Sequence, residues 1–278
     1  MASEIPTHTL NDSTSIPVIG LGTYGLRGAA GTQAVAAAIG SGYRLLDTAL
    51  NYENEREVGD GIRVSGIDRG EIIVTSKIPG RHHGYDETLG SFAESSTNLG
   101  LDVIDLYLIH WPLPGVDKYL DTWKAMIALR DEGKVRSIGV SNFTEEHLER
   151  IIGETGVAPA VNQVELHPYF PQAALRAFHE RHAIRTESWS PLAKRGELTR
   201  EPLLVAIADS HSVTPTQAVL RWHLQLGSIP IPKSADAARQ RENLDVFDFE
   251  LSDDEVSAIS SLERGRLWDG DPVTHEEF

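Results

Sequence analysis

A (β/α)8, or TIM, barrel with an N-terminal β-hairpin and a C-terminal tail is the fold this sequence predicts, on three observations. Short apolar runs alternate with helix-length amphipathic segments along the chain. Eight such strand-then-helix units fit in the roughly 250 residues a barrel of this kind needs, more units than the usual doubly wound sheet holds. No composition break or linker interrupts them, so residues 1–278 read as one domain.

The elements follow in order. "HTLNDSTSIPVIG", residues 8–20, reads as a hairpin, and its N-D-S sequence as turn chemistry rather than a glycosylation site. The predicted barrel strands are "VIGL" (18–21), "YRLLDT" (43–48), "EIIVTSK" (71–77), "VIDLYLIH" (103–110), "VRSIGVS" (135–141), "AVNQVE" (160–165), "IRTESWS" (184–190) and "SIPIP" (228–232). Between them lie helical patterns such as "TQAVAAAIGSG", "DETLGSFAESSTNLG" and "LDTWKAMIALRDEG", several opening with Thr or Asp and closing with Gly.

One stretch argues for a different fold. "GLGTYG", Gly20 to Gly25, matches the G-x-G-x-x-G pattern of a doubly wound dinucleotide domain, and Asp47 lies about where the ribose-binding acid should. In that fingerprint the helix begins among the glycines. Here "LRGAAGT" intervenes, and the N-cap is expected at Thr32. The glycines therefore read as a loop at a barrel mouth, where backbone must turn or approach a ligand closely.

Composition excludes several function classes. With 25 basic and 41 acidic residues the formal charge is −16, a surface that repels nucleic acid and anionic membranes. No apolar run approaches the ~20 residues of a membrane span, and "MASEIPTHTL" lacks the features of a signal peptide, so a cytoplasmic protein is expected. The chain has no cysteine, which rules out disulfides, thiolate metal sites and a cysteine nucleophile. An anionic ligand would need its own local positive charge.

The predicted strand ends carry the chemistry. Asp47 ends one strand with Tyr52 in the following loop, Lys77 ends the next, and His110 the one after, beside Trp111. Each alone has an ordinary structural role; all four at three consecutive strand ends suit proton donation to a carbonyl oxygen. Tyrosine, with an ordinary pKa of ~10, is a weak acid, and a nearby ammonium is expected to lower it. Asp47 would keep Lys77 charged, and a neutral His110 would orient the carbonyl by hydrogen bonding. Two alternatives use the same residues differently: a Schiff-base aldolase or isomerase with Lys77 as nucleophile, and a non-enzymatic dinucleotide-binding barrel. The Tyr-x-x-x-Lys of a short-chain dehydrogenase is missing, since Arg56 stands four residues after Tyr52.

"DTALNYENE", the strand ending in Lys77, "LYLIHWP", "SIGVSNF" and "VNQVELHP" together resemble the aldo-keto reductases over roughly residues 8–265. "LDVFDFELSDDE" makes the chain most similar to the bacterial 2,5-diketo-D-gluconate reductase group. The resemblance implies NADPH-dependent reduction of aldehydes and ketones (keto sugars, keto acids, α-dicarbonyls) to alcohols, with Asp47, Tyr52, Lys77 and His110 as the catalytic tetrad. It places Ser141, Asn142 and Gln163 at the nicotinamide carboxamide and Trp189 on the nicotinamide ring. Ser190 and Leu192 would line the pyrophosphate, and Gly22 and Thr23 the first-loop contacts. Lys233, Ser234 and Arg239 would surround the 2′-phosphate, and Glu242 and Asn243 the adenine. Asp236 departs from the nearest relatives' pattern and raises NADH as a second cofactor to test, while Lys233 and Arg239 keep NADPH the first choice. Tyr24, Leu50 and Trp111, with Trp268 from the tail, would form the substrate pocket. Pro79 stands where many relatives have an aromatic, leaving His82, His83 and Tyr85 in that loop; without a third ligand, no metal site is expected. The family implies a monomer acting on a small-molecule carbonyl.

Overall fold

The computed structural model describes residues 5–193 and 195–277. Strands β1 (Thr7–Thr9) and β2 (Ser15–Pro17) form the antiparallel hairpin. Its turn is built by Asp12, whose Oδ1 accepts from the Thr14 N–H (3.0 Å) and hydroxyl (2.6 Å). Leu10 and Ile16 carry the hairpin's apolar contribution. They bury against Leu45, Leu106, Leu108, Val161 and Ile229 and close one end of the barrel.

The eight following strands run parallel and pair in sequence order: β3 (Leu21–Gly22), β4 (Leu45–Asp47), β5 (Ile73–Ile78), β6 (Ile104–Ile109), β7 (Val135–Ser141), β8 (Val161–Glu165), β9 (Arg185–Trp189) and β10 (Ile229–Pro230). The ring closes where the Gly20 and Gly22 N–H groups donate to Pro230 O and Pro232 O, each at 3.1 Å. The expected strands all form; the first lies slightly later than "VIGL", because only Leu21 and Gly22 align with Leu46 and Asp47.

Side-chain parity sorts the core. Val74, Ile78, Tyr107, Ile109, Ile138 and Val140 point outward into the layer shared with the helices, while Leu45, Leu106, Leu108 and Val161 point inward. Asp47 has the inward parity of Leu45, and His110 that of Leu106 and Leu108. A period of two therefore delivers these polar residues to the inside as the strands end. Gly139 is inward as well, where a Cβ would crowd Leu108 Cδ2 and Val161 O, both at 2.7 Å.

The helices are α1 (Gly28–Gly40), α2 (Glu55–Ser65), α3 (Tyr85–Leu99), α4 (Tyr119–Asp131), α5 (Glu145–Thr155), α6 (Ala173–Arg181), α7 (Arg195–Leu198), α8 (Pro202–Ser210), α9 (Pro215–Gln225), α10 (Ala237–Leu244) and α11 (Asp253–Ser260). Capping boxes open α5 (Thr144 with His147), α9 (Thr214 with Gln217) and α11 (Ser252 with Glu255). The start of α1 corrects the expected Thr32 cap: the helix begins at Gly28, after Arg27. Glu57 of α2 accepts from the Gly28 N–H at 2.8 Å, so a neighbouring helix supplies the missing cap. No helix among the described residues is long and apolar enough to cross a membrane.

Candidate active site

Lys77, on β5, is fully buried. Its Nζ donates to Asp47 Oδ1 at 2.6 Å and to Thr48 O at 2.9 Å, and lies 3.5 Å from the Tyr52 hydroxyl. Burial works against the ammonium, but Asp47 and then Tyr52 outweigh it and hold the Lys77 pKa above the ordinary lysine value. Tyr52 corrects an expectation. Burial pushes its phenol above the usual range, Lys77 pulls back only part of that rise, and Asp47 and Glu277 add to it. The ammonium acts in the anticipated direction but does not win. The tyrosine keeps its proton.

Tyr52 stands between two rings, Tyr24 with centroids 5.1 Å apart and His110 at 5.8 Å, both edge-on. The His110 backbone is fixed by Asn142, whose Nδ2 donates to His110 O at 3.0 Å while its Oδ1 accepts from Trp189 Nε1 at 2.8 Å. Asn142 reaches both partners from a left-handed backbone (φ 62°), as do Ser190 (48°) and Ala193 (48°) nearby. Backbone of this kind costs roughly 1–3 kcal/mol per residue and is held only where the surroundings fix it.

A cavity of about 440 Å³ opens at this mouth. It is lined by Asp47, Tyr52 and His110, by Gly22, Thr23, Ser141, Asn142 and Gln163, and by Trp189, Ser190, Leu192 and Lys233. Tyr24 and Trp111 line it too. Leu50, expected beside them, does not; it is buried among other residues at the start of a single 3-10 turn. A larger cavity, about 740 Å³, lies under the hairpin by Ile16, Arg44 and Arg136, away from every one of these groups.

A family model of the aldo/keto reductases matches residues 18–264. The chain belongs to the aldo/keto reductase family. Among relatives, the reductase is 67% identical over 274 residues to 2,5-diketo-D-gluconic acid reductase B of Corynebacterium sp. (strain SHS752001), covering 99% of each chain. Its fold superposes on the crystal structure of a Gox0644 mutant in complex with NADPH with a TM-score of 0.94, at 47% identity, covering 99% of this chain and 100% of the other. It also superposes on the Bombyx mori aldo-keto reductase in complex with NADP, with a TM-score of 0.88 at 36% identity over 94% of each chain.

Gln163 of the reductase turns its amide nitrogen inward, where Nε2 donates to Asp47 Oδ2 (2.8 Å) and Glu187 Oε2 (2.9 Å). With both hydrogens engaged, the amide can offer the cavity only its oxygen, an acceptor. The opposite end of the expected groove runs from Lys233, exposed beside the barrel closure, to α10. Asp236 is the N-cap there, its Oδ1 accepting from the Arg239 N–H at 2.9 Å and lying 4.0 Å from Arg239 Nε. That amide, ahead of the guanidinium, holds the Asp236 pKa below the ordinary carboxylate value. Ser234 is buried and accepts from the Asp236 N–H at 3.1 Å. Glu242 accepts from the Thr214 hydroxyl at 2.8 Å, and Asn243 is buried.

Three residues escaped the sequence reading. Glu187, fully buried on β9, sits at an inward position of "IRTESWS", and an acid at that parity was the signal. Glu277 comes from the tail, where no periodicity announces anything. Its Oε1 lies 2.7 Å from His110 Nδ1 and accepts from Asn51 Nδ2 at 2.6 Å; its Oε2 accepts from the Gly80 N–H at 3.2 Å. Gly80 is the third: a Cβ there would drive into the Glu277 carbonyl oxygen. Farther back, the tail is held by Glu165, whose Oε1 accepts from the Leu267 N–H at 2.7 Å, and by Trp111, whose ring centroid is 4.2 Å from that of His275. Trp268 is 41% exposed and does not line the cavity.

Proposed function

We propose that this reductase uses NADPH to convert aldehydes and ketones to alcohols, with Tyr52 as the proton donor. The observation that carries the reading is the buried ammonium of Lys77 held by Asp47, with Tyr52 and His110 facing the same cavity. NADPH, when bound, supplies the hydride. The chain's residues fit it: an indole and an amide acceptor at the inner end, and on a protein of charge −16 two cationic side chains, Lys233 and Arg239, at the other.

The residues then divide the work. Tyr52 gives its proton to the oxygen as negative charge develops there. An alkoxide is a much stronger base than a phenolate, so even a phenol of raised pKa transfers downhill. Lys77 stabilises the phenolate left behind, and Asp47 keeps that ammonium from being a lone buried charge. Its engagement with Asp47 and Thr48 O also speaks against Lys77 as a Schiff-base nucleophile. His110 orients the carbonyl. The substrate named for the Corynebacterium relative, 2,5-diketo-D-gluconic acid, makes a keto-sugar acid the first compound to assay.

The test is NADPH oxidation across keto acids, diketo sugars, glyoxals and aromatic aldehydes, with Tyr52→Phe beside the natural protein. The variant is expected to lose turnover yet quench with NADPH at nearly unchanged affinity. Most of the activity surviving in the variant would show that the proton comes from another group.

A further inference from the structure

The imidazole of His110 forms part of the wall between two environments. One side faces the cavity with Tyr52; on the other, Nδ1 is buried and no hydrogen-bonding atom of proper geometry meets it. Behind it stands the carboxylate of Glu277, which is held by two donors, Asn51 Nδ2 and the Gly80 N–H. Its Oε1 lies 2.7 Å from Nδ1, though off the axis of the ring N–H. Neither Glu277, Asn51 nor Gly80 lines the cavity.

We propose that Glu277 is a positioning residue for His110, its carboxylate holding a proton on Nδ1 so that Nε2 is the nitrogen turned to the cavity. The geometry is that of an acid seated behind an imidazole, which fixes ring orientation and tautomer. Without Glu277 no carboxylate would stand beside Nδ1 to hold its proton. With it, donation from Nε2 requires the doubly protonated ring, for which Glu277 is the counter-ion. His83 lies close by, and burial holds its pKa at about 4, so it brings no charge to the pair. Arg81 reaches the group only through Asn51 Oδ1, and Tyr52 stands on the cavity side.

The tail is also built to deliver this carboxylate. Glu165, Trp111 and Gly80 anchor it along its course, and Gly80 leaves room for the Glu277 backbone that no other residue would.

The inference rests on the carbonyl-reductase reading only for the task given to His110, and its primary test does not need turnover. Ring ¹⁵N spectra of His110 in the cofactor-free full chain are expected to show Nδ1 protonated in the natural protein and in Glu277→Gln, whose amide oxygen can still accept. In Glu277→Ala and in Gly80→Ala, which displaces the tail while keeping every polar side chain, the proton should move to Nε2. In parallel, NADPH affinity should be unchanged in Glu277→Ala and Glu277→Gln, as expected of a residue that does not line the cavity. A bare Nδ1 in the natural protein, or ring signals identical in all four proteins, would overturn the proposal even if the protein proves to be an active reductase. Absent reductase activity with the expected ring shifts would instead fault the functional reading alone.

Discussion

Asp47 and Glu187 are joined through one nitrogen: Gln163 Nε2 lies 2.8 Å from the first carboxylate and 2.9 Å from the second. Lys77 pairs with Asp47, so Glu187 is left as a buried acid without a cation of its own. Burial, and then repulsion from Asp47, pushes its pKa from 4.5 to about 8. Below 4.5 the folded and unfolded chains both hold this proton. Between 4.5 and about 8 the unfolded chain releases it and the folded chain does not, so stability falls as pH rises across that window. The loss is on the order of a few kcal/mol. Glu187→Gln should flatten it, gaining on the natural protein steadily from the acidic to the alkaline end in urea denaturation. A constant difference between the two across the window would refute the assignment.

Removing one member of a buried ion pair costs more than removing both. Lys77→Met leaves Asp47 uncompensated and should destabilise by about 3–5 kcal/mol. Lys77→Met combined with Asp47→Asn should recover much of that in thermal or chemical denaturation, with both proteins inactive. Equal stability of the single and double variants would mean the pair is not coupled in this way.

Two glycines of the outer layer should respond oppositely to alanine. At Gly59 of α2 a Cβ would strike the carbonyl of Leu99, so Gly59→Ala should cost about 1–3 kcal/mol or more. At Gly90, exposed within α3, an added Cβ would meet nothing within 4 Å, and Gly90→Ala should stabilise by roughly 0.5–1 kcal/mol. Denaturation midpoints decide both; a stabilised Gly59→Ala would contradict the close approach of α2 to the end of α3.

Cofactor choice should follow charge around α10. Lys233→Ala and Arg239→Ala are expected to raise KM for NADPH severalfold and leave KM for NADH nearly unchanged, since only NADPH carries the extra phosphate. Asp236→Ala should increase the NADPH-to-NADH ratio of kcat/KM, at about 0.5–2 kcal/mol of stability through the lost cap. Should the Lys233 and Arg239 variants weaken both cofactors equally, these cations do not meet the phosphate.

Much of this site was legible because it obeys a local rule. The alternation in "YRLLDT" and "VIDLYLIH" places Asp47 and His110 inward, and the barrel brings strand ends together at one face, so these two and Lys77 could be named from residue spacing. Where a partner is remote in the chain, the rule stops. The α1 cap failed because Glu57 replaces it from another helix, and Leu50 was misplaced because a single turn buries it. The raised pKa of Tyr52 depends on how completely the surrounding elements exclude water, a quantity that no spacing of residues encodes.

By itself, then, the sequence determined the period-two strands, the eightfold alternation, and the identity of the acid, phenol, ammonium and imidazole at the mouth, since each is set by neighbours a few residues apart. Tertiary structure alone decided which of those groups keeps its proton, how Gln163 couples Asp47 to Glu187, and that Glu277 arrives behind His110 from 167 residues away in sequence. Those outcomes rest on desolvation and on contacts between distant segments, and both come into being only when the chain closes on itself.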